Sequence, residues 1–200
     1  MFWWFLFSCF TVVTYTRVFL PWSEHRRDLI QLYDPVHENV PIFYLVPLIN
    51  CLEYLCLATY FIQIGLYWSI EDILFTSYCG MLLIWTRMLM LWMCPLKASE
   101  YTPELGDRFN RVFTGEDTPE FRNDLFFSGH VATLVLMGCT THLWPTLFFM
   151  CALVIGVSMT LSRVHYTIDV LVAPYIAYGS YKLISAVFGE QNSGLFINGG

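Results

Sequence analysis

LFFSGHVATLVLMGCTTHLWPTLFFMCALVIGVSMTLSRVHYTIDVLVAPYIAYGSYKLISAVF, residues 125–188, is three apolar runs broken by three short polar marks. The marks are Ser128-Gly129-His130 near the start, a turn at Trp144-Pro145, and Ser162 to Asp169 between the second and third runs. A helix that crosses a bilayer needs about 20 mostly apolar residues, and the runs 125–144, 145–161 and 166–188 approach or meet that length. If each crosses, the first and third marks fall at one membrane face and the turn at the other. Three further apolar runs lie upstream, at 2–20, 41–67 and 73–94. The expected fold class is therefore all-α, a polytopic membrane protein with six transmembrane helices in one bundle. Residues 1–188 form the six-span catalytic membrane domain of this reading, and 189–200 a polar, Gly-rich tail expected to be disordered.

Composition agrees. Of the 200 residues 56% are hydrophobic and 13% charged, about half the charge of a soluble domain, which carries about 25%. A net charge of -6 argues against nucleic acid, which needs a basic face. The seven cysteines sit inside or at the ends of apolar runs, with no C-x-x-C spacing, so they read as small hydrophobes and not as metal ligands or a disulfide framework. The stretch from Met1 to Trp22 lacks a positive leading segment and ends in Arg17 and Pro21. It reads as a first span and not as a cleaved signal.

The connections alternate in character. Loops 21–40, 95–124 and 162–165 hold most of the charge, whereas the second and fourth are little more than SIED and the Trp144-Pro145 turn. Polar chemistry is thus gathered at one face. The first loop, SEHRRDLIQLYDPVHENVP, reads as a solvated linker with an amphipathic option, and its His25 and His37 as surface histidines. The third, PLKASEYTPELGDRFNRVFTGEDTPEFRND, is polar, rich in turn formers and longer than an ordinary connection. Lids and caps are found in loops of such length.

Two segments on that face carry chemistry. His165 and Asp169 are four apart, so in the first turn of a helix their side chains share one face. The carboxylate can accept one imidazole N–H and fix the tautomer, leaving the other nitrogen to act as nucleophile or base. Arg163, two residues earlier, offers a guanidinium, the natural bidentate partner of phosphate oxygens. His130 belongs to the first polar mark, and if the fourth helix begins near Leu125 it lies about 7 Å into it. Gly129 admits a close backbone or substrate approach. His130 can then protonate a leaving alkoxide, or deprotonate an incoming hydroxyl, across a phosphorus atom. Asp124 is placed to orient His130 or to meet a cationic headgroup, and Ser128 joins it as a substrate contact. Glu53 lies mid-run in the second span, where a carboxylate is costly; it lines the headgroup cavity or is a neutral, hydrogen-bonded group between helices. His142 falls at the opposite end of the fourth run and is left out.

FFSGH followed by SRVHYTIDV resembles the sphingomyelin synthase and inositol phosphorylceramide synthase group, the lipid branch of the type 2 phosphatidic acid phosphatase superfamily. Asp124, six before His130, matches the family's GD…FSGH spacing, with Asn123 where the family has Gly; LYDPVHENVP resembles its loop before the second span. Arg87 in the third span resembles a family arginine and is added as a substrate contact. The K-x6-R-P signature of the lipid phosphatases is absent, which favours the synthase branch. The resemblance implies a His130–His165–Asp169 triad that moves a phosphoalcohol headgroup from a glycerophospholipid to ceramide, releasing diacylglycerol, with no metal and no cofactor. It also implies a multi-pass protein of Golgi, endomembrane or plasma membrane with a lumenal or exoplasmic site. The positive-inside rule points the other way, because Arg26, Arg27, Lys97, Arg108, Arg111, Arg122 and Arg163 all lie on the active face. Two alternatives stay open: hydrolysis by the same triad, as a lipid phosphatase or a phospholipase C, and a non-catalytic membrane scaffold.

Overall fold

The computed structural model describes residues 2–26, 28–98, 123 and 125–188. Arg27, Asp124, most of the third loop and the tail from 189 lie outside them. All regular structure among the described residues is helical, and the one pairing of extended chain is an isolated bridge between Ile30 and Leu96.

α1 (Phe2–Thr14) continues through a π-helical turn, Tyr15–Phe19, into α2 (Leu20–Glu24). Pro21 has no N–H to return to the carbonyl four residues back, and the wide turn ends just before it. α3 (Pro35–Asn39) is one turn, started by Asp34, whose side chain accepts from the Val36 N–H, and by a proline at its first position. α4 (Val46–Tyr67) and α5 (Ile70–Met93) are joined by a short link at Trp68 and Ser69. Ser69 and Asp72 cap each other's backbone there, which fixes where α5 begins. α6 (Gly129–Thr140) starts on Ser128, whose hydroxyl accepts from the Val131 N–H. α7 (Pro145–Leu161) follows Trp144, and α8 (Thr167–Phe188) follows a short turn at 162–166.

α6 is the central element. Val131, Ala132 and every residue from Leu134 to Thr140 are buried, because α4, α5, α7 and α8 pack around it. A helix apolar on all sides belongs in such a position. Leu134, Phe148, Ile155 and Met159 are among the largest side chains fully buried at this centre. Gly156 lets α7 and α8 approach: a Cβ there would stand 2.7 Å from Val170 Cγ1. The outside is apolar too. Phe10, Leu55, Phe61, Leu89, Leu153, Leu171 and Leu183 are exposed, the reverse of a water-soluble surface and the pattern of a hydrocarbon-facing one.

Three helices are long and apolar enough to cross a membrane: Val46–Tyr67, Ile70–Met93 and Thr167–Phe188. The expected fourth span is shorter than its apolar run. α6 has 12 residues, about 18 Å at 1.5 Å per residue, because residues 125–128 form an irregular segment and not a first helical turn. α7, with 17 residues, is likewise a shorter apolar helix.

The polar ends sort as the alternation of loops predicts. At one end α3 meets α7, and the chain before α4 is tied to the end of α7 by Phe43 N–H to Leu161 O (3.1 Å), Ser162 Oγ to Phe43 O (2.8 Å) and Leu45 N–H to Ser162 Oγ (3.1 Å). Arg26 Nη1 donates to the last carbonyls of α5, Leu91 at 3.2 Å and Trp92 at 2.8 Å. At the other end His142 stands 3.3 Å from Asp72 and packs edge-on against Trp68.

Candidate active site

The first turn of α8 brings the predicted pair together. Asp169 is fully buried, its Oδ2 lies 3.4 Å from His165 Nδ1, and the same oxygen accepts the Tyr166 N–H at 3.2 Å. His165 therefore has Nδ1 turned to the carboxylate and Nε2 left for other chemistry. Asp169 Oδ1 is buried without a hydrogen-bond partner among the described residues. The backbone of the pair is also tied to the other histidine segment, since the Ser128 N–H donates to the Asp169 carbonyl at 3.0 Å.

His130 occupies the second position of α6. Because α6 begins at Gly129 and not at Leu125, the ring lies at the mouth of the helix and not more than a turn inside it, as the sequence suggested. The His130 and His165 ring centroids are 6.4 Å apart, at 68°. Glu53, in the third turn of α4, reaches across to put Oε2 3.5 Å from His130 Nε2. Both side chains remain about one quarter exposed, 27% and 23%, so this pair opens outward while Asp169 is sealed. Each histidine thus has its own carboxylate, one buried and one accessible.

Two left-handed residues flank the histidine segments: Phe127 with φ 44°, three before His130, and Arg163 with φ 58°, two before His165. Non-glycine residues in this region are held there at a cost of about 1–2 kcal/mol, and such strain collects at functional sites. Arg87 supports the first. Its Nη1 donates to the Phe127 carbonyl, its Nε to the Tyr15 hydroxyl at 2.7 Å, and its guanidinium lies against Gly129. A Cβ on Gly129 would stand 3.1 Å from Arg87 Cζ, so the glycine makes room for the buried arginine. Arg163 Nη2 donates to the His37 carbonyl.

Of the expected substrate contacts, Arg87 and Arg163 thus touch backbone carbonyls beside the histidines. Ser128 is fully buried as the α6 cap, with its hydroxyl 3.4 Å from Met159 Sδ. Asp124 lies outside the described residues. Its neighbour Asn123 is bound by Glu24, the N–H at 2.9 Å and Nδ2 at 3.1 Å.

His37 corrects the reading of the first loop. It is 7% exposed, not a surface residue; its Nε2 is 3.2 Å from the His165 carbonyl oxygen and its ring stacks on Tyr166 at 5.5 Å. Asp34 is buried as well. It accepts from the Thr167 N–H (2.6 Å), the Thr167 hydroxyl (2.9 Å) and the Val36 N–H (2.9 Å). Burial opposes its ionisation, but these hydrogen bonds outweigh it and hold the carboxyl below its usual range. The sequence signal was present, since Asp-Pro is a helix start that implies a folded turn. His25 remains exposed.

Residues 123–186, which hold both histidines and Asp169, match the family described as PAP2 superfamily C-terminal. That segment is similar to a PAP2 domain. The match supports the type 2 phosphatidic acid phosphatase superfamily, whose chemistry is phosphatase-like or phosphoryl transfer, and extends to no particular branch of it. No curated protein and no solved structure is matched by the chain.

Proposed function

We propose that the chain is a sphingomyelin synthase-like enzyme that transfers a phosphoalcohol headgroup from a glycerophospholipid to ceramide, within a six-span bundle whose active face gathers the first, third and fifth loops. The observation that carries the reading is the pair of imidazoles 6.4 Å apart, one backed by a buried aspartate, inside an exterior that only lipid would solvate. The PAP2 match gives phosphoryl chemistry to the segment that holds them. The sequence's own departure from the phosphatase signature supports the synthase branch.

In this reading His165 Nε2 attacks the donor phosphorus, and the bond from phosphorus to the diacylglycerol oxygen breaks. His130 gives that oxygen its proton, so diacylglycerol leaves and a phosphohistidine remains. His130 then takes the proton of the ceramide hydroxyl, whose oxygen attacks phosphorus and releases His165. Glu53 holds the outward side of His130 through both proton transfers, and Asp169 keeps Nδ1 of His165 occupied. Arg163, Arg87 and Asp124 are assigned to the headgroup and phosphate, with the arginines countering charge that develops on the phosphate oxygens, while Ser128, buried as the cap of α6, serves by starting the helix that carries His130.

Hydrolysis is the second reading, because the PAP2 match fits it equally: water takes the place of the ceramide hydroxyl at the second step. Purified protein given labelled ceramide and unlabelled phosphatidylcholine, phosphatidylethanolamine or phosphatidylinositol separates the two. The proposal expects a labelled phosphosphingolipid together with diacylglycerol. Diacylglycerol with the free phosphoalcohol, and no labelled product, would overturn transfer and leave hydrolysis.

A further inference from the structure

The polypeptide around His165 is held from outside its own helix. Its turn carries the left-handed Arg163, and the contact to Asp169, at 3.4 Å, is at the long end of hydrogen bonding. A small displacement of the main chain would break it. Contacts from the one-turn helix α3 and its cap oppose that displacement. Asp34 receives the backbone N–H and hydroxyl of Thr167, at 2.6 and 2.9 Å. His37 Nε2 lies 3.2 Å from the carbonyl oxygen of His165 itself. Arg163 returns a hydrogen bond to the His37 carbonyl.

Asp34 caps two helices with one carboxylate. Oδ1 accepts from Val36 at the start of α3, and Oδ2 from Thr167 at the start of α8. The first N–H groups of a helix have no partner within it, and a carboxylate there also complements the positive end of the helix dipole. Because the same group starts both helices, the position of α8's first turn is set by α3, from a remote part of the sequence. We propose that Asp34 and His37 are positioning residues, forming a strap that fixes the His165 main chain so that its ring stays on Asp169 and aimed at phosphorus. The inference rests on His165 being the attacking group of the preceding reading. Neither residue touches the substrate in this scheme; both act through Thr167 and the His165 carbonyl.

Two measurements on the full chain in detergent test it. The first is diacylglycerol release from phosphatidylcholine or phosphatidylethanolamine with ceramide present as acceptor, resolved into kcat and KM for the donor. Asp34→Ala is expected to lower kcat about 10- to 100-fold with KM within about two-fold, since small misplacements of a reacting group cost factors of this size. Asp34→Asn, which keeps one carbonyl oxygen for the Thr167 N–H, recovers most of the loss. His37→Gln places an N–H near the Nε2 position and should retain activity that His37→Ala loses. The second is amide hydrogen exchange across residues 163–169, expected to rise in Asp34→Ala and His37→Ala while α6 stays protected. A folded Asp34→Ala protein with kcat within about two-fold of the parent, or with unchanged exchange at 163–169, overturns the strap. If the parent protein releases no diacylglycerol, the reading of the site fails on its own, and exchange alone decides the strap.

Discussion

At the residue scale the site depends on who faces whom. Asp169 meets His165 on Nδ1 only, so replacing its carboxylate by an amide removes the group that fixes the tautomer without changing the volume of a fully buried side chain. Asp169→Asn is expected to cut turnover about 100-fold or more, the scale of acid–base assistance, in an assay of donor lipid consumption. Gly129 gives a second expectation. Alanine there would place Cβ 3.1 Å from Arg87 Cζ, so the guanidinium must shift by a few tenths of an ångström, which weakens its hold on the Phe127 carbonyl and on the left-handed turn before His130. Turnover in Gly129→Ala should fall about ten-fold, by the cost of misplacing His130, whereas Gly65→Ala, which meets nothing within 4 Å, should leave it unchanged. His165 and Asp169 were legible in the sequence because their spacing of four is itself a helical geometry. The partnership of Glu53 with His130 was not, since the two belong to different apolar runs with a whole span and the third loop between them. Only the packing of α4 against α6 closes that gap.

At the scale of elements, the first loop changes most between sequence and structure. Its mixed charge reads as a linker, yet one turn of helix in it, α3, lies against the His165 segment with Asp34 and His37 buried. Charge counts average over a loop and miss two buried members. The Asp-Pro helix start was the local clue. The pH dependence follows from the depressed Asp34 carboxyl, which faces the Thr167 N–H and hydroxyl, the Val36 N–H and, at 3.9 Å, His37 Nε2. A carboxyl lowered on folding adds stability above its ordinary value of 3.8, and that stability is lost as pH falls through the lower folded value. The melting midpoint of the parent should therefore exceed that of Asp34→Asn by a constant margin from neutral pH down to about pH 5, and the margin should shrink below about pH 4. The α7–α8 contact is testable in the same instrument. Gly156→Val drives a side chain into Val170 Cγ1 and is expected to destabilise by about 1–3 kcal/mol, the usual cost of overpacking.

Across the whole molecule, the sequence's greasy runs and polar marks foretold a division into a loop-rich polar end and an end of short turns, and His130 and His165 share one end with the first loop. Run lengths were less informative than run positions. Apolar residues continue into the irregular segment 125–128 because that segment is buried, as Leu125, Phe127 and Ser128 show, so hydropathy alone could not place the start of α6 at Gly129. A central helix of 12 residues surrounded by longer ones makes the core sensitive there. Leu134→Ala, fully buried at the middle of α6, should cost about 2–5 kcal/mol by denaturant titration in micelles and still leave the site chemistry intact in the folded fraction. The central claim is that His130 and His165 together move lipid phosphate. The most direct test compares the parent protein with His130→Ala and His165→Ala, in vesicles holding labelled ceramide and a donor phospholipid. The account predicts labelled phosphosphingolipid from the parent and a loss of at least about 1,000-fold in each variant. Equal product formation by folded His165→Ala would contradict it.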